Sequence, residues 1–243
     1  MSTDHSTPAA LNKDLDCCRF SLNYLFKDAS SSSTAGWPTP GPAITISNLT
    51  GSGAHEVAIH LADLLQTEEP QGSPPWTVFD RQLVEKVLEE HHLPQKLAEL
   101  MPEDRRSYFD DVIDEFMGLR PPSWVLVPKV IQTVLHLAGT GHTILIGRGA
   151  NAITETMPNV FHVRLIASLP NRIERVRQHE NLSSEEAAKL IATRDRGSRR
   201  FVKAYLHAHV EDDLHYHIVL NTDRVPVQDA AQLIAAGARR AFH

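Results

Sequence analysis

The run Ala43-Ile44-Thr45-Ile46-Ser47 is apolar and rich in β-branched residues, and it gives way to the glycines of Thr50-Gly51-Ser52-Gly53. A helical stripe follows at once, made of Val57, Ala58, Leu61, Ala62 and Leu65. A strand that passes through glycines straight into an amphipathic helix is the first half of a β-α-β unit. That unit needs a parallel strand beside it, so this feature narrows the fold before anything else is read. The handover recurs along the chain. Further strands are expected at 76–79, 143–146, 160–167 and 218–220. Three helical patterns lie between the second and third: Leu83, Val84, Val87, Leu88; then Phe109, Val112, Ile113, Phe116, Met117; then Val127, Val130, Ile131, Val134, Leu135, Ala138. Pro170 opens a helix carrying Ile173 and Val176. Ser183 with Glu186 three residues on has the form of a capping box, so a new helix begins there. A last helix spans 227–241. The alternation predicts an α/β fold, a doubly wound five-stranded parallel sheet with helices on both faces. In such sheets ligands bind beyond the carboxyl ends of the strands, which directs attention to the loops after Ser47, Phe79, Ile146, Ala167 and Leu220.

Residues 1–42 differ in character. Ser30-Ser31-Ser32-Ser33-Thr34 and the Pro/Gly run at 36–42 bury little, and only Phe20 to Phe26 offers apolar side chains. We expect a flexible arm over 1–42 and one folded domain over 43–243. Hydrophobic residues make up 42% of the chain and charged residues 22%, enough apolar content for a sizeable core. A net charge of -6 argues against a surface built to coat nucleic acid or an anionic membrane. The two cysteines, Cys17 and Cys18, are adjacent and cannot staple distant segments. With no apolar leader and no run near the ~18 residues needed to cross a bilayer, a soluble cytoplasmic protein is expected.

The loop at 50–53 is the first candidate site. Glycines let the backbone curl so that several N–H groups converge, and the following helix adds its positive end, a combination suited to phosphate. Against the pattern G-x-x-x-x-G-K-[ST], Gly53 takes the last glycine, Asn48 the place of the first, Ala54 the lysine slot and His55 the hydroxyl slot. The hydroxyls of Thr50 and Ser52 are candidates for Mg²⁺. Asp80 ends the second strand, where a carboxylate either holds metal or orients an acceptor; it is also a good helix N-cap. Arg148, between Gly147 and Gly149, suits a phosphate bidentately. Lys189, Arg194, Arg196, Arg199, Arg200 and Lys203 form a basic run against one acid, Asp195. Arg196, Arg199, Arg200 and Lys203 share a helical face, to be read as a lid over a triphosphate, as a solvated face or as an RNA-binding patch. Arg172 and Arg175 are expected on a solvated surface. Histidines at 207, 209, 215 and 217 are expected to face solvent, a zinc site being the minor alternative.

Taken in order, these motifs resemble the cytidylate kinase-like family, a branch of the P-loop nucleoside monophosphate kinases. The resemblance covers about 43–240 and rests on the Gly51-Ser52-Gly53 loop, on Phe79-Asp80-Arg81-Gln82-Leu83-Val84, on Asn181-Leu182-Ser183-Ser184-Glu185-Glu186-Ala187 ahead of the basic run, and on Asn221-Thr222-Asp223-Arg224. Phe201 and Tyr205 fall where the family carries lid aromatics. The chain departs from the family loop at Asn48 and His55, where arginines are usual, and at Leu49, where glutamate is usual.

The resemblance implies a helical substrate-side insertion near 81–138, a helical lid near 183–210, and Mg²⁺-dependent phosphoryl transfer from ATP to a nucleoside monophosphate such as CMP or dCMP. It implies donor phosphates at Gly51, Ser52 and Gly53, extended to Thr50, Ala54 and His55. It further implies Arg148 on the acceptor phosphate, Arg196, Arg199 and Arg200 on developing charge, and Asn221 near the donor base. Small-molecule nucleotides are thus the expected partners, with neither nucleic acid nor membrane. A nucleotide-binding sensor or pseudokinase stays open beside the kinase, because the loop lacks its lysine.

Overall fold

In a computed structural model, the structure describes residues 41–70, 72–80, 127–147 and 149–242. The strands are β1 (Ala43–Asn48), β2 (Thr77–Phe79), β3 (Thr143–Ile146), β4 (Val160–Ile166) and β5 (Ile218–Asn221). The helices are α1 (Ala54–Glu68), α2 (Val127–Thr140), α3 (Ala150–Ile153), α4 (Leu169–Glu180), α5 (Ser184–Tyr205) and α6 (Val227–Phe242). A 3-10 turn covers Asp213–His215. The five strands form one sheet in the order β2-β3-β1-β4-β5, every pair parallel. The α/β doubly wound sheet expected from the alternation is therefore present. The expected helical patterns around Leu83 and Phe109, and most of the insertion at 81–138, lie outside the described residues.

Strand periodicity explains the layering. Ile44 and Ile46 of β1 and Phe161, Val163 and Leu165 of β4 share one face and pack on Val57, Ala58, Leu61 and Leu65 of α1 and on Ile234, Ala235 and Ala238 of α6. Each fully buried valine or leucine in that layer contributes about 1.5–3 kcal/mol. On the second face, Ala43, Leu145 and Val160 meet Val134, Leu137 and Ala138 of α2 and Ala150 of α3. A third, small cluster of Val176, Ala187 and Ile191 joins α4 to α5. Ser183 caps α5 as expected: its amide donates to Glu186 Oε2 at 2.9 Å and its Oγ accepts from the Glu186 amide at 3.3 Å.

The second face of β1 and β4 also carries polar groups that the apolar look of 160–167 conceals. His162 and Arg164 are each 5% exposed. His162 Nδ1 lies 2.8 Å from Thr45 Oγ1, and the His162 amide donates to His217 Nδ1 at 2.9 Å. The His217 ring stacks on Phe161 with centroids 4.7 Å apart. Half-buried His215 pairs with Glu155 at 3.0 Å. His215 is thus half-buried beside Glu155, while His217, like His207 and His209, is exposed as expected, although its ring also contacts Phe161 and the His162 amide. Among the described residues no three His, Cys, Asp or Glu side chains converge as metal ligands.

Burial, reinforced by the nearby His217 and His215, pushes the His162 imidazole down from 6.5 to about 4. Between those values the unfolded chain binds a proton that the folded chain refuses, so stability falls as pH falls from 6.5 toward 4. The loss amounts to about 2 kcal/mol at pH 5 and about 3 kcal/mol at pH 4. Urea unfolding at pH 7.5 and pH 5 should show the midpoint dropping in the wild type, and dropping less in His162→Gln.

Candidate active site

The carboxyl ends of β1, β3, β4 and β5 lie level, with Ile46 paired to both Ile146 and Val163 and Ile166 paired to Asn221. The loops leaving them meet at one edge. After β1, the Leu49 amide donates to Leu165 O at 3.1 Å and the Ser52 amide closes a turn onto Leu49 O at 3.0 Å. Gly51 sits in that turn at φ 81°, and a Cβ there would lie 2.7 Å from Arg172 O and 2.9 Å from Val176 Cγ2. Glycine is therefore required at 51 by its packing against α4. Gly53 is the left-handed N-cap of α1, which has no side-chain cap. The first-turn N–H groups of an α-helix have no partner inside the helix, and here no side chain at the cap supplies one.

Three side chains hold the loop's carbonyls. Arg172 Nη1 reaches Thr50 O at 3.3 Å, and Arg175 Nη1 reaches Gly51 O at 3.4 Å. Thr222 Oγ1 donates to Ser52 O at 2.9 Å while accepting from Arg175 Nη1 at 3.0 Å. In a trans peptide the N–H points opposite to the C=O of the same unit. Tethering Thr50 O and Ser52 O thus aims the Gly51 and Gly53 amides the other way, outward from the tethering side chains. Arg172 and Arg175 are not solvated surface arginines, contrary to the helix-face expectation. Arg172 is 9% exposed, and both reach backbone more than a hundred residues away in sequence. Thr222, part of the Asn221–Arg224 run, is buried.

The other predicted residues fall as follows. His55, in the first turn of α1, and Asp80, just after β2, come together with His55 Nδ1 2.5 Å from Asp80 Oδ2. His55 is half-exposed and Asp80 nearly buried. Arg148 lies outside the described residues. Its neighbour Gly149 packs under the end of α5, where a Cβ would collide with Leu206, so that glycine serves helix packing. Arg196, Arg199 and Arg200 are exposed on α5. Arg199 pairs with Glu211 at 3.5 Å and lines a small crevice with Ser47, Asn48, Leu49 and Arg164. Phe201 and Tyr205 form a tilted ring pair 5.6 Å apart. Asn221 accepts from the Asp223 amide at 3.0 Å, and Asp223 Oδ2 accepts from the Ser168 amide at 2.8 Å, so both side chains shape the turns after β5 and β4. Hydrogen bonds from Asn171 and Ser168 hold the Asp223 carboxyl below its usual range.

Ser52 is fully buried, and its Oγ has no hydrogen-bond partner. A cation would reach that oxygen only if the loop shifted. Asp80 is the better fit for Mg²⁺, which needs only one or two carboxylates when phosphate and water complete its shell. A cavity of about 760 Å³ lies at the opposite, amino end of the strands, lined by Pro42, Leu65, Trp76, Asn159 and Phe242. Its lining includes no glycine loop and no helix N-terminus.

A five-stranded parallel sheet with a glycine loop after β1 and a bare helix start after the loop is an arrangement suited to a phosphate-bearing ligand. The chain belongs to the cytidylate kinase-like family, which matches residues 43–224. No curated protein matches it. A solved structure of an uncharacterized protein from Eubacterium ventriosum shares the fold, with a TM-score of 0.59 at 17% identity over 82% of this chain and 98% of that one. A shikimate kinase from Acinetobacter baumannii solved with shikimate gives a TM-score of 0.42 at 15% identity, over 81% and 92% of the two chains. A gluconokinase from Sinorhizobium meliloti gives 0.43 at 14%, over 83% and 93%. Among the described residues no helix is long and apolar enough to cross a membrane.

The packing at Gly51 makes a direct prediction. Gly51→Ala places a methyl against the α4 backbone and strains a positive φ, so unfolding free energy should fall by about 1–3 kcal/mol. Chemical denaturation at pH 7.5 checks it. An unchanged midpoint would mean that the loop does not rest on α4.

Proposed function

We propose that the protein transfers the terminal phosphoryl group of ATP to a nucleoside monophosphate, CMP or dCMP in the first instance, with Mg²⁺. The observation that carries this reading is the meeting of the loop and the β2 carboxylate: His55, one residue into the uncapped helix, touches Asp80. Donor phosphates would lie on the amides of the Gly51–Gly53 loop and on the first-turn amides of α1 at Ala54 and His55. Asp80 would hold the metal and orient the acceptor. When bound, Mg²⁺ would offset charge on the phosphates. The attacking oxygen belongs to the acceptor's phosphate and is already anionic, so no proton has to be removed from it. The new O–P bond forms as the bond to the ADP oxygen breaks. Arg148 would grip the acceptor phosphate, and Arg199, beside Asn48 and Leu49, is the lid cation best located to meet developing charge; Arg196 and Arg200 would support it from the same helix.

The test is ADP formation by the purified full chain with ATP and MgCl₂ across the nucleoside monophosphates. Turnover with a cytidine nucleotide supports the assignment, and no ADP with any acceptor overturns it. Asp80→Asn should lower kcat by about 10²-fold or more, as removal of one preorganised electrostatic group does. Ala54 in the lysine slot, with Asn48 and His55 where the family usually has arginine, favours a second reading, a nucleotide-binding sensor or pseudokinase. Calorimetry showing ATP binding without any turnover would select it.

A further inference from the structure

We infer that Asp195, the one acid in the basic stretch of α5, is a positioning residue that braces the phosphate loop from the lid helix. Its carboxylate spans two partners. Oδ1 accepts from the Thr50 amide at 2.9 Å, and Oδ2 accepts from Arg172 Nη1 at 2.7 Å. Arg172 Nη1 also reaches Thr50 O at 3.3 Å, so the N–H and the C=O of one loop residue are both held by a single ion pair. The pair is well shielded, with Arg172 10% and Asp195 11% exposed at the side chain. Charge-assisted bonds of this kind are about twice as strong as neutral ones, and shielding from water preserves that strength.

The brace has a physical consequence for binding. A loop holding two glycines within three residues has wide conformational freedom. Thr50 is the last non-glycine residue before Gly51, and fixing its two peptide groups fixes the plane from which Gly51 to Gly53 depart. The amides are then set before any ligand arrives, and affinity gains by the ordering cost already met. This matters more where the loop itself carries no lysine. The brace also ties ligand binding to α5. The clustering of Val176, Ala187 and Ile191 holds α5 to α4, so Asp195 is delivered to the loop by packing between two helices. Whatever moves α5 at Asp195 must loosen the loop, and a ligand that tightens the loop must favour the docked helix by the same free energy.

The inference rests on the reading that the loop binds donor phosphates, and the experiment separates the two. Hydrogen exchange at the Thr50 amide is followed by NMR in the ligand-free full chain, and MgATP affinity is measured by calorimetry, for the wild type, Asp195→Ala, the isosteric Asp195→Asn and Arg172→Met. Asp195→Ala is expected to raise Thr50 exchange at least tenfold while Ile44 and Val163 in the core stay protected, and to weaken MgATP about tenfold. Asp195→Asn keeps an acceptor but loses the charge and should fall between; it carries the test if the alanine variant does not fold. Arg172→Met should match Asp195→Ala. Unchanged Thr50 exchange, or faster exchange that only follows the core amides, overturns the brace. So does MgATP affinity unchanged from a wild type that binds. If the wild type binds no MgATP, the nucleotide reading fails while Thr50 exchange still decides the brace.

Discussion

β1 is the central strand of the sheet, hydrogen-bonded along both edges, to β3 and to β4, so its following loop must fit between neighbours on either side. Its register decides the rest. Pairing of Ile46 with Ile146 and Val163 brings the turn at Leu49 level with Leu165, and the loop begins by donating to Leu165 O. A one-residue slip would send Ile44 and Ile46 to the polar face and bring Thr45 and Ser47 into the core under α1. The central strand thus couples core burial to loop placement, and the loop cannot be relocated without exposing the core.

The fold was legible because strand and helix periods are local properties. The β-branched runs, the glycines between strand and helix, and the Ser183/Glu186 cap are each contained within a few residues, and each appears where the pattern put it. The site was legible only in its backbone outline. Arg172 and Arg175 read as surface because a helical wheel shows which residues face together and not what docks against them; their partners Thr50 and Gly51 lie 122 and 124 residues away. Asp195 was counted merely as the acid diluting a basic face, yet its contact with Thr50 spans 145 residues. His162 and Arg164 were masked by the opposite problem. They sit in so apolar a run that the strand's second face, shared with Thr45, Ser47 and Tyr216, left no distinct signature.

The electrostatics of the loop follow an indirect plan. Family loops usually carry arginine where this chain has Asn48 and His55, and Ala54 supplies no charge. Two guanidiniums nonetheless stand at the loop, on α4, and they point at carbonyl oxygens. Their part is to orient peptide dipoles. Thr222 adds a third such tether from just after β5, so the loop is held both by α4 and by the end of β5.

That plan limits what the loop can do. A phosphate held by peptide dipoles and a helix start is gripped strongly only within the first turn, because the dipole field falls off over that distance. A charge developing farther out, on the phosphoryl group in transit, would need cations from elsewhere. Arg199 is already at the crevice beside Asn48, but it is half-exposed and paired with Glu211. Exposed pairs of this kind are worth little and are readily exchanged for a better partner. Arg172 is in the reverse position: shielded and committed to Asp195 and Thr50, it cannot leave without unmaking the loop. Burial therefore divides the arginines into those that build the loop and those that remain available for other partners beside it.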